Sequence, residues 1–270
     1  MSEVSRQQRR REVREQIKAG RQLLTKGMPL QPRSSEIVAV AQVVRAKFDE
    51  AGNTRRASEA AELAQTLAET SLAARPSTQQ KIACAKGCNY CCHTFVAVTA
   101  PEAFRLAETV RGMKAASMEP DAIRARAQPL IGVSPADRMG ARLPCPLLVE
   151  GGCSVYRARP LVCRQATSTN LAACIEEFEG RNLAARIPIS GVHLQHASNA
   201  HITLLGAMRA AGFATDALEL AAALDVALAQ PDAEARWLQG EDVFKAVPRQ
   251  VTREATLEKA ISHVAAALTA

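Results

Sequence analysis

The amino-acid sequence predicts a mainly α-helical protein with an irregular cysteine-rich centre and one short β-hairpin. The 270-residue chain is 47% hydrophobic but only 3% aromatic, so alanine, leucine and straight-chain polar residues occupy most positions and favour helices over sheets. All eight cysteines fall between residues 84 and 174. Because helical patterns lie on both sides of this stretch, we expect helices to support a cysteine-rich centre.

Two helices are predicted before the cysteine-rich part of the chain. Ser34 and Ser35 can cap a helix that begins near Glu36. A second helix fits residues 55–74 and stops before Pro76, because a residue that precedes proline avoids helical geometry. We expect these two helices to form an antiparallel hairpin.

Further helices are predicted where a capping residue, Gly or Pro bounds a helical pattern. Thr99 precedes APEAFRLAETV as an N-cap, with Pro101 in the first turn. Asn170 caps a helix that carries Cys174 in its first turn, where the helix dipole favours a thiolate. The remaining patterns cover residues 119–131, 193–212, 215–230 and 253–268.

The N-terminal segment is strongly basic. Residues 1–33 hold nine Arg and Lys against three Glu, which accounts for +6 of the formal net charge of +7. Such a segment can make weak contact with nucleic acid or an anionic surface, but the favoured interpretation is a solvated, loosely attached helical terminus. The predicted organisation is therefore a basic arm, residues 1–33, and a single helical domain, residues 34–270, which contains the cysteine-cluster region 84–174.

The sequence favours a cytoplasmic location. No apolar segment of the secretory type follows the basic N-terminus, and no stretch approaches the roughly 18 apolar residues of a membrane span. Thiols stay reduced in the cytoplasm, where a cysteine cluster is more often metal-binding or catalytic than disulfide-bonded.

The first cysteine group is CAKGCNYCCH, residues 84–93. Four thiols this close together have no packing reason to be neighbours, which makes them candidate metal ligands. They are Cys84, Cys88, Cys91 and Cys92. A straight helix would separate the first and last of them by about 12 Å, too far for one zinc ion. Gly87 is therefore expected to form a turn before a helical turn that holds the last two cysteines.

The second cysteine group lies in LPCPLLVEGGCSVYRARPLVCR and is followed by a cysteine in a predicted helix. Its candidate ligands are Cys145, Cys153, Cys163 and Cys174. Gly151 and Gly152 are predicted to form a two-residue hairpin turn, with Glu150 paired to Cys153. A straight hairpin in this register places Cys145 about 16 Å from Cys153. Either there are two metal sites or the hairpin bends.

Two arginines are candidate cofactor contacts. Cations beside thiolates lower the pKa of the thiols and balance the charge of a metal cluster, and Arg159 and Arg164 lie next to the second group. His93 follows the first group and is a weaker candidate ligand. Three further histidines are interpreted as a satisfied or exposed polar helix face: His193, His196 and His201.

The two cysteine groups together resemble the YkgJ-like cysteine-cluster family, also described as zinc- or iron-chelating CxxCxxCC proteins. The resemblance covers about residues 84–174, although three residues separate the first two cysteines where the family name implies two. The matching residues are Cys84, Cys88, Cys91, Cys92, Cys145, Cys153, Tyr156, Arg159, Pro160, Cys163 and Arg164. The resemblance implies metal chelation without fixing the metal. Some relatives are associated with protein lysine N-methylation, but no glycine-rich loop for S-adenosylmethionine is visible in this sequence.

We therefore expect a cytosolic metal-binding protein whose cysteine thiolates chelate an iron–sulfur cluster or zinc. The iron–sulfur cluster is slightly preferred, because the adjacent cysteine pair and the flanking arginines suit a charged cluster. One alternative is a redox or protein-modifying enzyme that uses the cluster. Another is a metal- or redox-responsive regulator with a nucleic-acid-binding basic arm. Eight cysteines suit two four-cysteine sites, but one site or two stays open.

Overall fold

The computed structural model describes residues 6–74, 81–85, 87–181, 186–250 and 254–270. Within these residues the protein is mainly α-helical, which confirms the predicted fold class. The helices are α1 (Arg6–Lys26), α2 (Ser34–Phe48), α3 (Arg56–Ala73), α4 (Ala100–Arg111), α5 (Pro120–Ala127), α6 (Pro135–Gly140), α7 (Leu161–Gln165), α8 (Leu171–Phe178), α9 (Gly191–Ala210), α10 (Leu220–Ala229), α11 (Ala233–Leu238) and α12 (Ala255–Thr269). The strands are β1 (Ala97–Val98), β2 (Leu148–Val149), β3 (Gly152–Cys153), β4 (Ala217–Glu219) and β5 (Arg249–Gln250). No helix in these ranges has the length and apolar character needed to cross a bilayer.

The predicted capping residues begin two of the helices beside the cysteine region. The Thr99 hydroxyl accepts a hydrogen bond from the Glu102 N–H group (3.3 Å) at the start of α4. The Asn170 side chain accepts one from the Ala173 N–H group (3.1 Å) at the start of α8. Both caps satisfy N–H groups that have no partner inside their own helix.

Helix α9 lies at the centre of the larger helical group. Its buried residues include Leu204, Leu205 and Met208, and the helix packs against α2, α3, α7 and α12. At the crossing with α12 a Cβ on Gly206 would come within 2.5 Å of the Val264 side chain, so only glycine permits this approach. Helix α3 also contacts α4, which forms a second group with α5 and α10.

The predicted basic arm is partly built into the core. Helix α1 lies along α2, and a Cβ on Gly20 would stand 2.1 Å from the Ala39 carbonyl oxygen. Leu24 and Met28 are buried, and the Met28 N–H group donates to the Ser71 hydroxyl (2.9 Å). The expectation of a loosely attached segment therefore does not hold for its second half, whereas residues 7–15 are exposed.

A three-stranded antiparallel sheet, absent from the sequence-based expectation, joins distant parts of the chain. Its strand order is β1, β4, β5. The helix predicted over residues 215–230 begins only at Leu220, because the residues before it form β4. The Glu219 carboxylate at the end of this strand caps α10 by accepting from the Ala222 N–H group (2.7 Å). One carboxylate therefore ends the strand and starts the helix.

The predicted β-hairpin is present as β2 and β3, but its register differs from the prediction. Cys153 pairs with Leu148 rather than with Glu150. The turn residues are Glu150 and Gly151, with φ values of 51° and 74°. Positive φ at both central positions is characteristic of a type I′ turn, whose twist matches that of the flanking strands. The prediction of a turn at Gly151 and Gly152 was wrong because it did not allow for a glutamate in the left-handed region.

Candidate metal centre

The first cysteine group folds into the turn and helical turn that Gly87 predicts. Gly87 has a φ of 88°, and the Cys88 N–H group donates to the Ala85 carbonyl oxygen (3.0 Å). A short 3₁₀ helix follows at Tyr90–His93 and carries the adjacent cysteine pair. Successive residues of such a helix point in different directions, so the two cysteines of the pair face different neighbours.

The two cysteine groups meet in space although they are far apart in the chain. The Cys145 N–H group donates to the Cys92 carbonyl oxygen (2.7 Å). The chain then turns at Cys145, whose carbonyl oxygen accepts from the Leu148 N–H group (2.9 Å). This bend brings the Cys145 thiol near the Cys153 thiol, close enough to affect its pKa. The hairpin is therefore not straight, and the long separation expected of the two cysteines does not arise.

Four cysteines form an inner set, which is nearest the hydrophobic core. They are Cys92, Cys145, Cys153 and Cys163, and Cys92 belongs to the set because Cys145 and Cys153 are close enough to raise its pKa. The side chains of the last three pack against the main core cluster. Burial raises the pKa of Cys163, and Cys145 and Cys153 raise it further. These thiols are thus neighbours inside the protein.

The other four cysteines form an outer set, which lines a cavity of about 200 Å³. They are Cys84, Cys88, Cys91 and Cys174. The Ser168 N–H group donates to the Cys84 sulfur (3.3 Å), and α8 carries Cys174. Burial raises the pKa of Cys88, and the other three outer thiols raise it further. The apolar part of the cavity wall comes from Tyr90, Met139, Phe178, Ile187 and Ile189.

Cys91 lies between the two sets. It lines the outer cavity, yet it also raises the pKa of Cys153 and Cys163 in the inner set. A hydrogen bond from the Cys92 thiol to the Cys91 sulfur lowers the pKa of Cys91 and raises that of Cys92. Of the two adjacent thiols, Cys91 is therefore the one that is more easily deprotonated.

Burial favours the neutral form of the inner thiols. It raises the pKa of Cys145 to about 11 and also raises the pKa values of Cys153 and Cys163. A metal ion binds the thiolate form, so it must displace these protons. A bound cation would offset the repulsion among the resulting thiolates.

Arg159, a predicted cofactor contact, lies beside both sets. Its guanidinium carbon is 4.2 Å from the centroid of the Tyr156 ring. The positive charge lowers the pKa of Cys91 and of Cys153, in addition to the effects of hydrogen bonding and burial on these thiols. The position of Arg159 thus agrees with a role in balancing thiolate charge.

Arg164, the second predicted cofactor contact, uses its guanidinium to support the protein chain. It donates to the Glu69 carboxylate of α3 (2.6 Å) and to the carbonyl oxygens of Arg159 (3.1 Å) and Arg157 (2.7 Å). These bonds fasten the loop before α7 to α3. The Arg164 charge also lowers the pKa of Cys153, although burial has the larger and opposite effect.

Arg138 is a charged neighbour of the inner set that sequence reasoning did not identify. Helix α6 carries it into the interior, where its guanidinium donates to the Glu219 carboxylate (2.8 Å) and the two side chains are 0% and 2% exposed. Its Nε and Nη2 atoms have no hydrogen-bond partner among the described residues. The Arg138 charge lowers the pKa of Cys145 against the larger effect of burial. Nothing in the sequence distinguishes this arginine from the exposed ones.

Glu102 fixes the start of α7, the helix that carries Cys163. Its buried carboxylate accepts hydrogen bonds from the Leu161 N–H group (2.8 Å) and from the Thr99 N–H group (2.9 Å). The carboxylate therefore ties the beginning of α7 to the beginning of α4, and the position of Cys163 depends on the helical core.

His93 is a candidate ligand beside the outer set. Its Nδ1–H group donates to the Asn89 carbonyl oxygen (3.1 Å), which leaves Nε2 with a free lone pair in the neutral ring. The ring lies 4.8 Å from that of Phe178 and lines the outer cavity. Of the histidines on α9, His193 forms a hydrogen bond with the Ser190 hydroxyl (2.9 Å) and His196 is buried.

The donor chemistry fits zinc or an iron–sulfur centre, since both accept four cysteine thiolates. In the described ranges, no three Cys, His, Asp or Glu side chains are already arranged to hold one metal ion. The backbone brings the cysteines together, and a metal ion held by three or more of them would require their side chains to rotate.

Comparison with known proteins identifies a domain at the cysteine region. Residues 83–183 match a family model described as "CxxCxxCC: Putative zinc- or iron-chelating domain". The match spans all eight cysteines and confirms the resemblance of the two groups to this family. No curated protein and no solved structure matches the chain.

Proposed function

We propose that the chain, which carries a zinc- or iron-chelating domain at residues 83–183, is a metal-binding protein that holds an iron–sulfur cluster or zinc through cysteine thiolates. The observation that carries the proposal is the gathering of eight cysteines into an inner and an outer set. Soft thiolate ligands select zinc and iron–sulfur centres over hard cations such as magnesium. The proposed ligands are Cys84, Cys88, Cys91, Cys92, Cys145, Cys153, Cys163 and Cys174.

The surroundings of the two sets favour different occupants. Three of the four inner thiols, those of Cys145, Cys153 and Cys163, are packed against the core, which suits a single four-coordinate ion of the structural type. The outer thiols border a cavity of about 200 Å³, which gives a larger iron–sulfur group room beside the sulfurs. Arg159 adds a positive charge near both sets. The slight preference for an iron–sulfur cluster over zinc therefore applies to the outer set.

Anaerobic purification of the full chain tests the proposal. We expect bound metal in amounts stoichiometric with the chain, measured by visible spectroscopy and by analysis for iron, sulfide and zinc. Broad visible absorption with iron and sulfide would identify a cluster, and a colourless protein with zinc would identify zinc sites. The variants Cys88→Ser and Cys163→Ser should each lose metal. A wild-type chain that holds neither metal, even after anaerobic reconstitution, would contradict the proposal.

A redox or protein-modifying enzyme is the second candidate function, and the outer cavity favours it. Apolar walls beside a metal centre give a substrate a place to bind. An iron–sulfur centre that can be reduced and reoxidised reversibly would support a redox role. Zinc alone in both sets would exclude electron transfer by the metal centre.

A further inference from the structure

We infer that the two sets have different tasks: the inner set is a permanent structural metal site, and the outer set is an exchangeable metal site that α8 covers. This inference rests on the proposed function, because it requires that both sets bind metal. It concerns which site releases metal while the protein remains folded.

The inner set cannot open without disturbing the core. Cys145, Cys153 and Cys163 pack against the main hydrophobic cluster, and α7 is fixed by the buried Glu102 carboxylate. The hydrogen bond from the Cys145 N–H group to the Cys92 carbonyl oxygen joins the two ligand segments (2.7 Å). Release of metal from this set therefore requires separation of packed elements, which is close to global unfolding.

The outer set borders an open cavity. Cys91 is exposed, and all four outer cysteines line the cavity wall together with His93. A competing ligand can therefore approach the outer sulfurs from the cavity, with no need to displace the core.

Helix α8 is the weakly held part of the outer site. Among its residues Leu171–Phe178 none is buried. The contacts that hold it include the Phe178 ring, which lies 5.4 Å from the Tyr90 ring and is covered by the Arg142 guanidinium at 5.1 Å. A helix with so little buried apolar surface opens at low free-energy cost.

Cys174 connects the stability of α8 to metal binding. It is the one outer cysteine carried by this helix, and the other three lie in the 84–91 segment. A metal bound by both parts ties α8 to the first cysteine group, and opening of α8 removes one ligand. The outer metal is therefore exchangeable, and its binding stabilises α8.

The experiment follows zinc release from the full, reduced chain. Zinc serves as the probe for both sets, including the outer set, for which an iron–sulfur cluster is the preferred occupant. Metal-free protein is loaded with Zn²⁺ under anaerobic conditions and then mixed with an excess of a chromophoric chelator. We expect two equivalents per chain and two release phases, with the slow phase parallel to unfolding. The variant Cys174→Ser should lose the fast phase, and Cys84→Ser should do the same. Ala172→Ser, an exposed change on the same helix, should retain it.

Amide hydrogen exchange gives a second measurement that does not depend on chelator kinetics. Zinc should slow exchange over residues 171–178 in the wild type and in Ala172→Ser, but not in Cys174→Ser. Cys153→Ser in the inner set should lower the thermal stability of the whole chain.

The outcomes separate this inference from the proposed function. A single release phase, a single zinc equivalent, or a fast phase that survives both Cys174→Ser and Cys84→Ser would overturn the division of tasks and leave metal binding intact. Unchanged exchange over residues 171–178 after zinc loading would also overturn it. A chain that binds no metal would overturn both.

Discussion

Arg138 brings a positive charge into the core, where it pairs with Glu219 beside Cys145. We predict that Arg138→Met lowers the free energy of unfolding by about 3–5 kcal/mol, because it leaves a buried carboxylate without its partner. Urea denaturation measures the change. Arg124→Met is the control, since Arg124 is 35% exposed and its loss should cost about 1 kcal/mol or less.

A paired variant separates the structural role of Arg138 from an electrostatic effect on the metal. The double variant Arg138→Met/Glu219→Gln has no unpaired buried carboxylate, and the glutamine keeps an oxygen that can cap α10. Much of the free energy of unfolding lost in Arg138→Met should therefore return. Zinc affinity at the inner set should nevertheless stay below that of the wild type, because the positive charge that favours the Cys145 thiolate is missing. Wild-type affinity in the paired variant would mean that Arg138 serves the fold alone.

The raised thiol pKa values predict how metal binding responds to pH. Cys145, with a pKa of about 11, and Cys163, whose pKa is also raised, are protonated at neutral pH in the metal-free protein. Zinc has to displace these protons, so its apparent affinity should rise with pH, by about tenfold per pH unit for each proton released. Zinc titrations at pH 6, 7 and 8 measure this slope. An affinity that is independent of pH would contradict binding through these thiols.

The sequence predicts the ligand chemistry more completely than the residues that support it. Clustered cysteines stand out, because no other requirement places four thiols within nine positions. Arg159 lies near the thiols and lowers the pKa of Cys91, whereas the Arg164 guanidinium is engaged with the chain; the role of both as cofactor contacts stays a prediction. The place of Arg138 depends on how α6 packs, a tertiary contact that leaves no pattern in the sequence.

At the scale of elements, the β2–β3 turn holds Glu150 with a φ of 51°. This left-handed region costs an ordinary residue roughly 1–2 kcal/mol, but asparagine adopts it more easily. We predict that Glu150→Asn, which creates the Asn-Gly pair favoured in type I′ turns, stabilises the protein by up to about 1 kcal/mol. Thermal denaturation measures the gain. Glu150→Ala removes the same charge and keeps the strain, so an equal gain in that variant would contradict the explanation.

The elements that the sequence predicted are those with local signals. Thr99 and Asn170 are placed directly before helical patterns and cap α4 and α8 as expected. Strands of two or three residues, such as β1 and β4, are too short to show alternation, and their partners lie far away in the chain. The hairpin was recognised from its glycines, but its register depended on the backbone of Glu150.

At the scale of the whole molecule, α1 is both a basic surface and part of the core. Deletion of residues 1–13 should leave stability and metal content unchanged, since residues 7–13 are exposed. Deletion of residues 1–33 should destabilise the protein by about 1.5–3 kcal/mol for each of Leu24 and Met28, which are buried. Denaturant unfolding of the two truncated chains measures the free energy of unfolding of each and tests both expectations. Equal stability of both chains would show that α1 contributes nothing to the core.

The same deletions test the basic arm as a binding surface. If salt-sensitive binding to nucleic acid exists and residues 1–13 carry it, the shorter deletion should abolish it while the fold stays intact.

The division of the cysteines into two sets is a further property of the whole molecule. It depends on the contact between Cys92 and Cys145, which spacing in the sequence does not specify.

The adjacent positions of Cys91 and Cys92 make the two sets dependent on each other. Cys91 faces the outer cavity and Cys92 lies near Cys145 and Cys153, so one short 3₁₀ turn shapes both sites. If both sets hold metal as proposed, an ion in the inner set would immobilise this turn and preorganise the outer set, which would then have less conformational entropy to lose. Such coupling would be reciprocal, so an outer ion would also strengthen the inner site. Oxidation of an inner thiol would therefore weaken metal binding by the outer set without any chemical change there. Oxidative damage near the core would then be detected as a loss of metal from the outer set.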